Sequence, residues 1–286
     1  MMAQTLTEKY AYPVKPVCSF LDLASSSYYY VSKECEPQLK ADLETVAGLY
    51  PTYGTRRITH QLWRKPFEYR VNRKRIQRLM RQMNLLRPVK RRKVRTTDSQ
   101  HPYLRYPNQV KGLEIGLPNQ VWASDITYVR LQNDFVYLAI ILDVFTRAIR
   151  GWCLSRTIDQ QLTLDALHMA LDNHTPPQIH HSDQGWQYAA QAYVKLLHSH
   201  HVRISMSAVG KAEENGFAER FMRTIKEEEV DLSEYHDFTD AQEQIGYFIE
   251  DVYNQKRIHS ALDYFSPSEF ELAWRLAQTL MPGPTP

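Results

Sequence analysis

Apolar and polar positions along this chain repeat with two different periods, and the change of period divides it. Between residues 38 and 83 the apolar positions recur every three or four residues. Leu39, Leu43, Val46 and Tyr50 form one stripe that stops at Pro51, the spacing of an amphipathic helix. Thr55 is placed to cap a second helix reaching Leu62, and Asn72 a third in which Ile76, Leu79, Met80 and Met83 face inward. Upstream, Val14, Val17 and Leu21 have helical spacing before a Ser-rich break, enough for a short helical hairpin.

From Gln120 the period drops to two. Residues 121–131, 135–142 and 148–154 read as strands, with a hairpin turn at Asn133-Asp134. Asp159 is placed to cap a helix carrying Leu162, Leu167 and Leu171. A strand over 178–182, a helix over 188–200 and a strand over 202–207 follow. Next comes a helix over 212–229, with Phe217, Phe221 or Met222, and Ile225 inward. Three strands and then alternating helix and strand make an α/β pattern. A last helix is expected over 240–253 and a disordered end over 281–286.

Composition narrows the class. With 43% hydrophobic and 23% charged residues among 286, the chain reads as soluble and globular, and no apolar run approaches the roughly 18 residues of a membrane span. The start lacks a secretory h-region, so the cytoplasm is the expected location. Cys18, Cys35 and Cys153 are widely spaced without a CxxC pair, which points to neither a disulfide framework nor a zinc site. The net charge of +3 conceals a block: residues 56–95 hold 16 Lys or Arg and one acid, Glu68, leaving −12 for the rest. Such a block suits a phosphate-binding surface, and the basic outer faces of the short helices suggest a helix-turn-helix-like unit.

Three acids carry the candidate chemistry. Asp125 lies inside the first predicted strand, where a lone carboxylate is unfavourable unless paired or bound to a cation. Asp183 follows the strand over 178–182 at a turn, and Glu219 sits on the helix after it, with 35 residues between the two. That gap has room for one helix and one strand, so the acids can converge. Converging carboxylates stay ionised only with a cation among them, and oxygen ligands suit Mg²⁺ or Mn²⁺, here two ions. Asp134 suits the hairpin turn, Asp143 with Arg147 reads as a structural pair, and His180 reads as packing.

Residues 122–128, 181–188 and 215–226 resemble the D-D-E catalytic core of retroviral integrases and insertion-sequence transposases. The most specific marks are the 35-residue gap and Lys226, seven residues after Glu219. Residues 53–58 and 72–80, and Asn254–Leu262 with Ser266–Phe270, resemble further segments of the IS-three family, in its second-frame (OrfB) form. No His/Cys zinc module precedes the core, which favours the bacterial side of this superfamily. The resemblance implies an RNase H-like core with a mixed five-stranded sheet and flanking helices, preceded by a small all-α helix-turn-helix-like domain and followed by a helical tail. It also implies metal-dependent cleavage of DNA at element ends and joining of the 3′-hydroxyl to a phosphodiester.

The expected organisation is a helical hairpin over 1–36, the DNA-binding helices over 37–86, a basic linker over 87–118, the catalytic core over 119–232 and a helical extension over 233–286. Asp125, Asp183 and Glu219 are the expected catalytic and metal-binding residues. Lys226, Arg223, Asn215, Arg73, Lys74, Arg75, Arg78, Arg56 and Arg57 are the expected DNA contacts, and His181 supports the acids without binding metal. Residues 210–215 depart from the family pattern, which bears on loop contacts and leaves the acids untouched. Expected partners are double-stranded DNA, further copies of the chain on DNA and an upstream-frame protein. Two rivals are a metal-dependent nuclease on the same fold and a DNA-binding regulator with an inactive core.

Overall fold

The computed structural model describes residues 3, 6–7, 10–29, 37–86, 106–132, 134–208 and 212–280. Two short helices, α1 (Val14–Phe20) and α2 (Ser25–Tyr28), come first. Three helices follow, α3 (Pro37–Leu49), α4 (Thr55–Trp63) and α5 (Arg73–Gln82). Asn72 caps α5 as expected, its side chain accepting from the Lys74 N–H at 2.9 Å. Thr55 does not cap α4, because it is already the first helical residue and Gly54 holds the cap position. Leu39, Leu43, Val46, Ile58, Leu62, Ile76, Leu79 and Met80 form one buried cluster, and Ile258 from the far end of the sequence completes it.

The core is a five-stranded sheet in the order β3-β2-β1-β4-β5. Strands β1 (Val121–Arg130), β2 (Phe135–Asp143) and β3 (Ile149–Ser155) form the antiparallel meander, and β4 (Ile179–Ser182) and β5 (Arg203–Met206) add in parallel on the other side of β1. As the central strand, β1 is buried on both faces. Val121, Ala123 and Val129 join one apolar cluster with Phe221 and Ile225, and Trp122 joins the other with Leu167 and Tyr193.

Helix α6 (Gln160–Asn173), capped by Asp159, covers the second face with α7 (Trp186–Ala189) and α8 (Gln191–Ser199). Gly151 lets α6 lie against β3, since a Cβ there would stand 2.2 Å from the Ala166 carbonyl oxygen. The first face is covered by α9 (Gly216–Ile225), entered through a 3₁₀ turn (Ala212–Asn215) and continued as a π-helix (Lys226–Val230), and by α10 (Phe238–Tyr247) with its π continuation (Phe248–Lys256). The chain then reaches α11 (Pro267–Leu280), whose start is a capping box: Glu269 Oε2 accepts the Ser266 N–H and Ser266 Oγ the Glu269 N–H.

Four further expectations change. Residues 106–118 are irregular, but Val110 and Ile115 pack on the core and Gln109 bonds to β5. The long helix expected over 212–229 is a 3₁₀, α and π succession, and Phe217 is 40% exposed while Ala218 takes an inward position. Asp143 pairs with Arg150, at 3.1 Å, while Arg147 stacks on Phe217. The helix expected over 188–200 is two pieces broken at Ala190. Residues 87–105, Cys35 and the end over 281–286 lie outside the described residues, and no helix among those described is long and apolar enough to cross a membrane.

Candidate active site

Strand pairing brings two of the acids to one place. In the β1/β4 ladder Val121 pairs with Ile179, Trp122 with His180 and Ala123 with His181, a constant offset of 58. Asp125 lies two residues beyond Ala123 on β1 and Asp183 two residues beyond His181, just past the end of β4, so both acids follow the last rung of this ladder. Each carboxylate has one oxygen fixed locally. Asp125 Oδ1 accepts the Ile126 N–H and Asp183 Oδ1 the Gly185 N–H, both at 2.9 Å, the latter closing an Asx turn. A Cβ at Gly185 would stand 3.0 Å from that Asp183 oxygen, so the turn favours glycine.

The buried hydroxyl of Tyr188 reports both charges. Burial, then Asp183, then Tyr193 and Asp125 push it well above the usual phenol range, and its oxygen has no hydrogen-bond partner. The ring itself packs with Trp122, Tyr193 and Leu197 in the apolar cluster on the second face of the sheet. In the sequence Tyr188 opens the expected helix and closes the 181–188 segment. Its position five residues after Asp183, on the turn that follows that acid, was the available signal.

The helix bearing the third acid is fastened at its entry. Asn215 Nδ2 donates to the Ser124 carbonyl at 3.0 Å, next to Asp125. His181 lies 3.1 Å through Nε2 from the Glu214 carbonyl and 2.9 Å through Nδ1 from Ser205 Oγ. A carbonyl only accepts, so Nε2 carries the proton and Nδ1 takes the serine hydroxyl's. Ser205 Oγ in turn accepts the Gln109 N–H at 2.8 Å, and Glu214 Oε2 accepts from Asn108 Nδ2 and the Ala208 N–H. His181 thus ties β4 and β5 to the helix entry, and burial, its largest influence, holds its ring below the usual histidine range.

Glu219 stands in the first turn of α9, where the helix dipole favours an acid, one turn beyond Asn215. Lys226 places Nζ 4.2 Å from the centre of the Tyr128 ring. Contacts at Ser124 and Tyr128 therefore bracket Glu219 over the stretch of β1 that holds Asp125. The carboxylate of Glu219 is exposed, and among the described residues no three His, Cys, Asp or Glu side chains form a metal-sized cluster. The aspartates both follow the last rung of one ladder, and Glu219 lies on the helix tied to the residue before Asp125.

The other expected residues divide. Arg73, Lys74, Arg78, Arg56 and Arg223 are exposed, and Arg75 is partly so. Asn215 is buried and occupied with Ser124, so it serves the helix entry instead of reaching DNA. Arg57 is turned inward onto Glu228 at 3.2 Å and over the Tyr53 ring, which removes it from the expected DNA contacts. His180 is packing as expected. Its Nε2 lies 2.7 Å from Ser124 Oγ and 2.9 Å from Tyr193 Oη, and burial pushes it down to about 3. Asp143 is enclosed, accepting the N–H groups of Asn119, Phe145 and Thr146 as well as Arg150, which leaves it a structural acid.

Two family profiles described as "Integrase core domain" match residues 117–212 and 200–267, and one described as "HTH-like domain" matches 43–93. The "Insertion element IS600 uncharacterized 31 kDa protein" of Shigella sonnei is 34% identical over 265 residues, which are 89% of this chain and 97% of that protein. The "Transposase for insertion sequence element IS904" of Lactococcus lactis is 34% identical over 222 residues, 77% of this chain and 87% of its own length. The "Transposase for insertion sequence element IS629" of Shigella sonnei is 30% identical over 277 residues, 92% and 93% of the two chains.

Proposed function

The chain belongs to the insertion-sequence transposases with an integrase core, and from that premise we propose that Asp125, Asp183 and Glu219 are the carboxylates with which it cuts DNA at element ends and joins the 3′-hydroxyl to a phosphodiester. The observation that carries the assignment is that Asp125 and Asp183 each lie two residues beyond the last rung of the β1/β4 ladder, with the Glu219 helix bound to the residue before Asp125.

The donor set fits a hard divalent cation: three carboxylates, on β1, just after β4 and on α9, offer hard oxygen ligands. Asp125, Asp183 and Glu219 would hold Mg²⁺ or Mn²⁺, in two ions. The metal would neutralise charge on the reacting phosphodiester and lower the pKa of the attacking water or 3′-hydroxyl. The chain's own part is placement. The sheet sets the two aspartates, the contacts of Asn215 and His181 hold α9 in register with them, and Lys226 supplies a cation for a phosphate beside the acids.

The exposed Arg73, Lys74, Arg78 and Arg56, with Arg75, bind the DNA backbone near the element end, since a basic face gains by releasing phosphate counterions. Further copies of the chain act together on the two ends. The test is a strand-transfer reaction of the purified chain with end DNA and a target duplex in Mg²⁺ and in Mn²⁺. Joined product that disappears with Asp183→Asn is expected. Cutting without joining would make the chain a nuclease, and binding without cutting would make it a regulator.

A further inference from the structure

Glu228, nine residues beyond Glu219 on the π-helical continuation of the same helix, is gripped by two arginines from opposite ends of the sequence. Arg257 holds it as a fork: Nε lies 2.7 Å from Oε2 and Nη2 2.7 Å from Oε1. Arg57, the third residue of α4, reaches Oε1 at 3.2 Å. The Glu228 and Arg257 side chains are 9% and 6% exposed. Burial alone would raise the Glu228 carboxyl, yet the Arg257 hydrogen bonds and the two guanidinium charges bring it below the usual range.

The junction around this triad is built from side chains of both modules. Tyr53 Oη accepts the Ile258 N–H at 3.0 Å and lies beneath Arg57. His60 stacks on Tyr264, and Arg64 bonds the Tyr264 carbonyl at 3.1 Å and pairs with Glu269. A buried ion pair adds little net stability compared with apolar packing of the same volume, and its attested use is to fix one geometry among several. Here the geometry fixed is the pose of the three-helix unit relative to the helix that carries Glu219.

We propose that Glu228 is a positioning residue: through Arg57 it hands the pose of the DNA-bound three-helix unit to the helix bearing Glu219, so that chemistry is matched to correctly bound ends. The inference rests on the reading that this unit recognises end DNA. A guanidinium drawn outward with α4 pulls on a carboxylate rigidly joined to the catalytic helix, because Arg257 holds the same carboxylate from the tail. Nothing in this route needs Glu228 to touch DNA.

The test compares joining by the full chain on end DNA and on scrambled DNA of equal length, in Mn²⁺, with end affinity measured alongside. Glu228→Gln keeps the volume and removes the charge. Arg57→Gln, at a side chain 22% exposed, cuts only the link to the helical unit and leaves the Arg257 fork in place. For both, the end-over-scrambled preference is expected to fall roughly tenfold, a typical coupling between sites. The scrambled rate and the end affinity should stay within about twofold, because neither residue acts on the phosphodiester. Equal loss of both rates with a lower melting temperature would show a structural cross-link only and overturn the proposal, as would an unchanged preference. If Glu228→Gln does not fold, Arg57→Gln decides alone. A wild-type chain that does not discriminate in binding overturns the end-recognition reading itself, whereas a discriminating wild type with equally discriminating variants overturns only the coupling.

Discussion

The side-chain amide of Asn215 donates to the carbonyl of Ser124 at 3.0 Å and so ties the entry of the Glu219 helix to the strand position next to Asp125. Asn215→Asp removes the donor and sets a negative charge beside a buried carbonyl, a loss of about 1–3 kcal/mol. Joining is expected to fall more than about tenfold while end DNA binds within about twofold of wild type. Gel-shift titration and a joining time course check this; normal joining, or DNA binding weakened as much as joining, would refute it.

Asp125→Asn, Asp183→Asn and Glu219→Gln each remove the charge of a proposed metal ligand with little change of volume. Each is expected to abolish cleavage and joining in Mg²⁺ while leaving the melting temperature and DNA affinity near wild type. Near-normal joining by any two of them would end the assignment.

Lys226 lies two helical turns from Glu219 and rests over the Tyr128 ring, so an incoming phosphate has a cation at hand that ligates no metal. Lys226→Ala should lower joining roughly tenfold, the scale of one charge-assisted phosphate contact, with Mn²⁺ binding retained, and Lys226→Arg should keep part of the activity. Loss of Mn²⁺ binding in Lys226→Ala, followed by electron paramagnetic resonance, would give this lysine a different role.

Neutralising Arg73, Lys74, Arg75 and Arg78 together should weaken DNA binding and flatten its dependence on salt by roughly 0.9 per lost phosphate contact. Fluorescence anisotropy across a salt series measures the slope. An unchanged slope would move the DNA-binding face elsewhere.

His180 and His259 are buried and held neutral, their folded values pushed by burial to about 3 and about 2 from an ordinary 6.5. Only the unfolded chain gains their protons, so their contribution is intact above about pH 6.5 and is lost as the pH falls below it. Each costs about 1.4 kcal/mol per pH unit in that window. Glu228 does not interfere, because its carboxyl is depressed and its contribution fades only below the usual glutamate range. Urea unfolding at pH 7.5 and pH 5.5 is expected to show lower stability at the acid value. Equal stability would mean that these rings do not stay neutral.

Strands β1 to β3 were legible because their alternation is local, and the Asp183 to Glu219 spacing held because one helical region and one strand do fill it. Other features depend on contacts that no local window contains. Arg57 looks like part of a basic surface until Glu228, 171 residues away, is seen to claim it. Asp143 sits near Arg147 in sequence, yet the strand geometry hands it Arg150. Phe217 has the right spacing for the core, but Ala218 takes the inward position as the helix begins at Gly216. Tyr188 gave no charge pattern to follow, because its interest lies in what surrounds its hydroxyl.

Ile258 fills the cluster built by Leu39, Ile58 and Ile76, and its N–H caps the hydroxyl of Tyr53 some 205 residues earlier. The cluster of the three-helix unit stays open until the segment around Ile258 has been made. Interrupted synthesis therefore yields a product with an exposed apolar patch, the kind of species that proteases and aggregation remove.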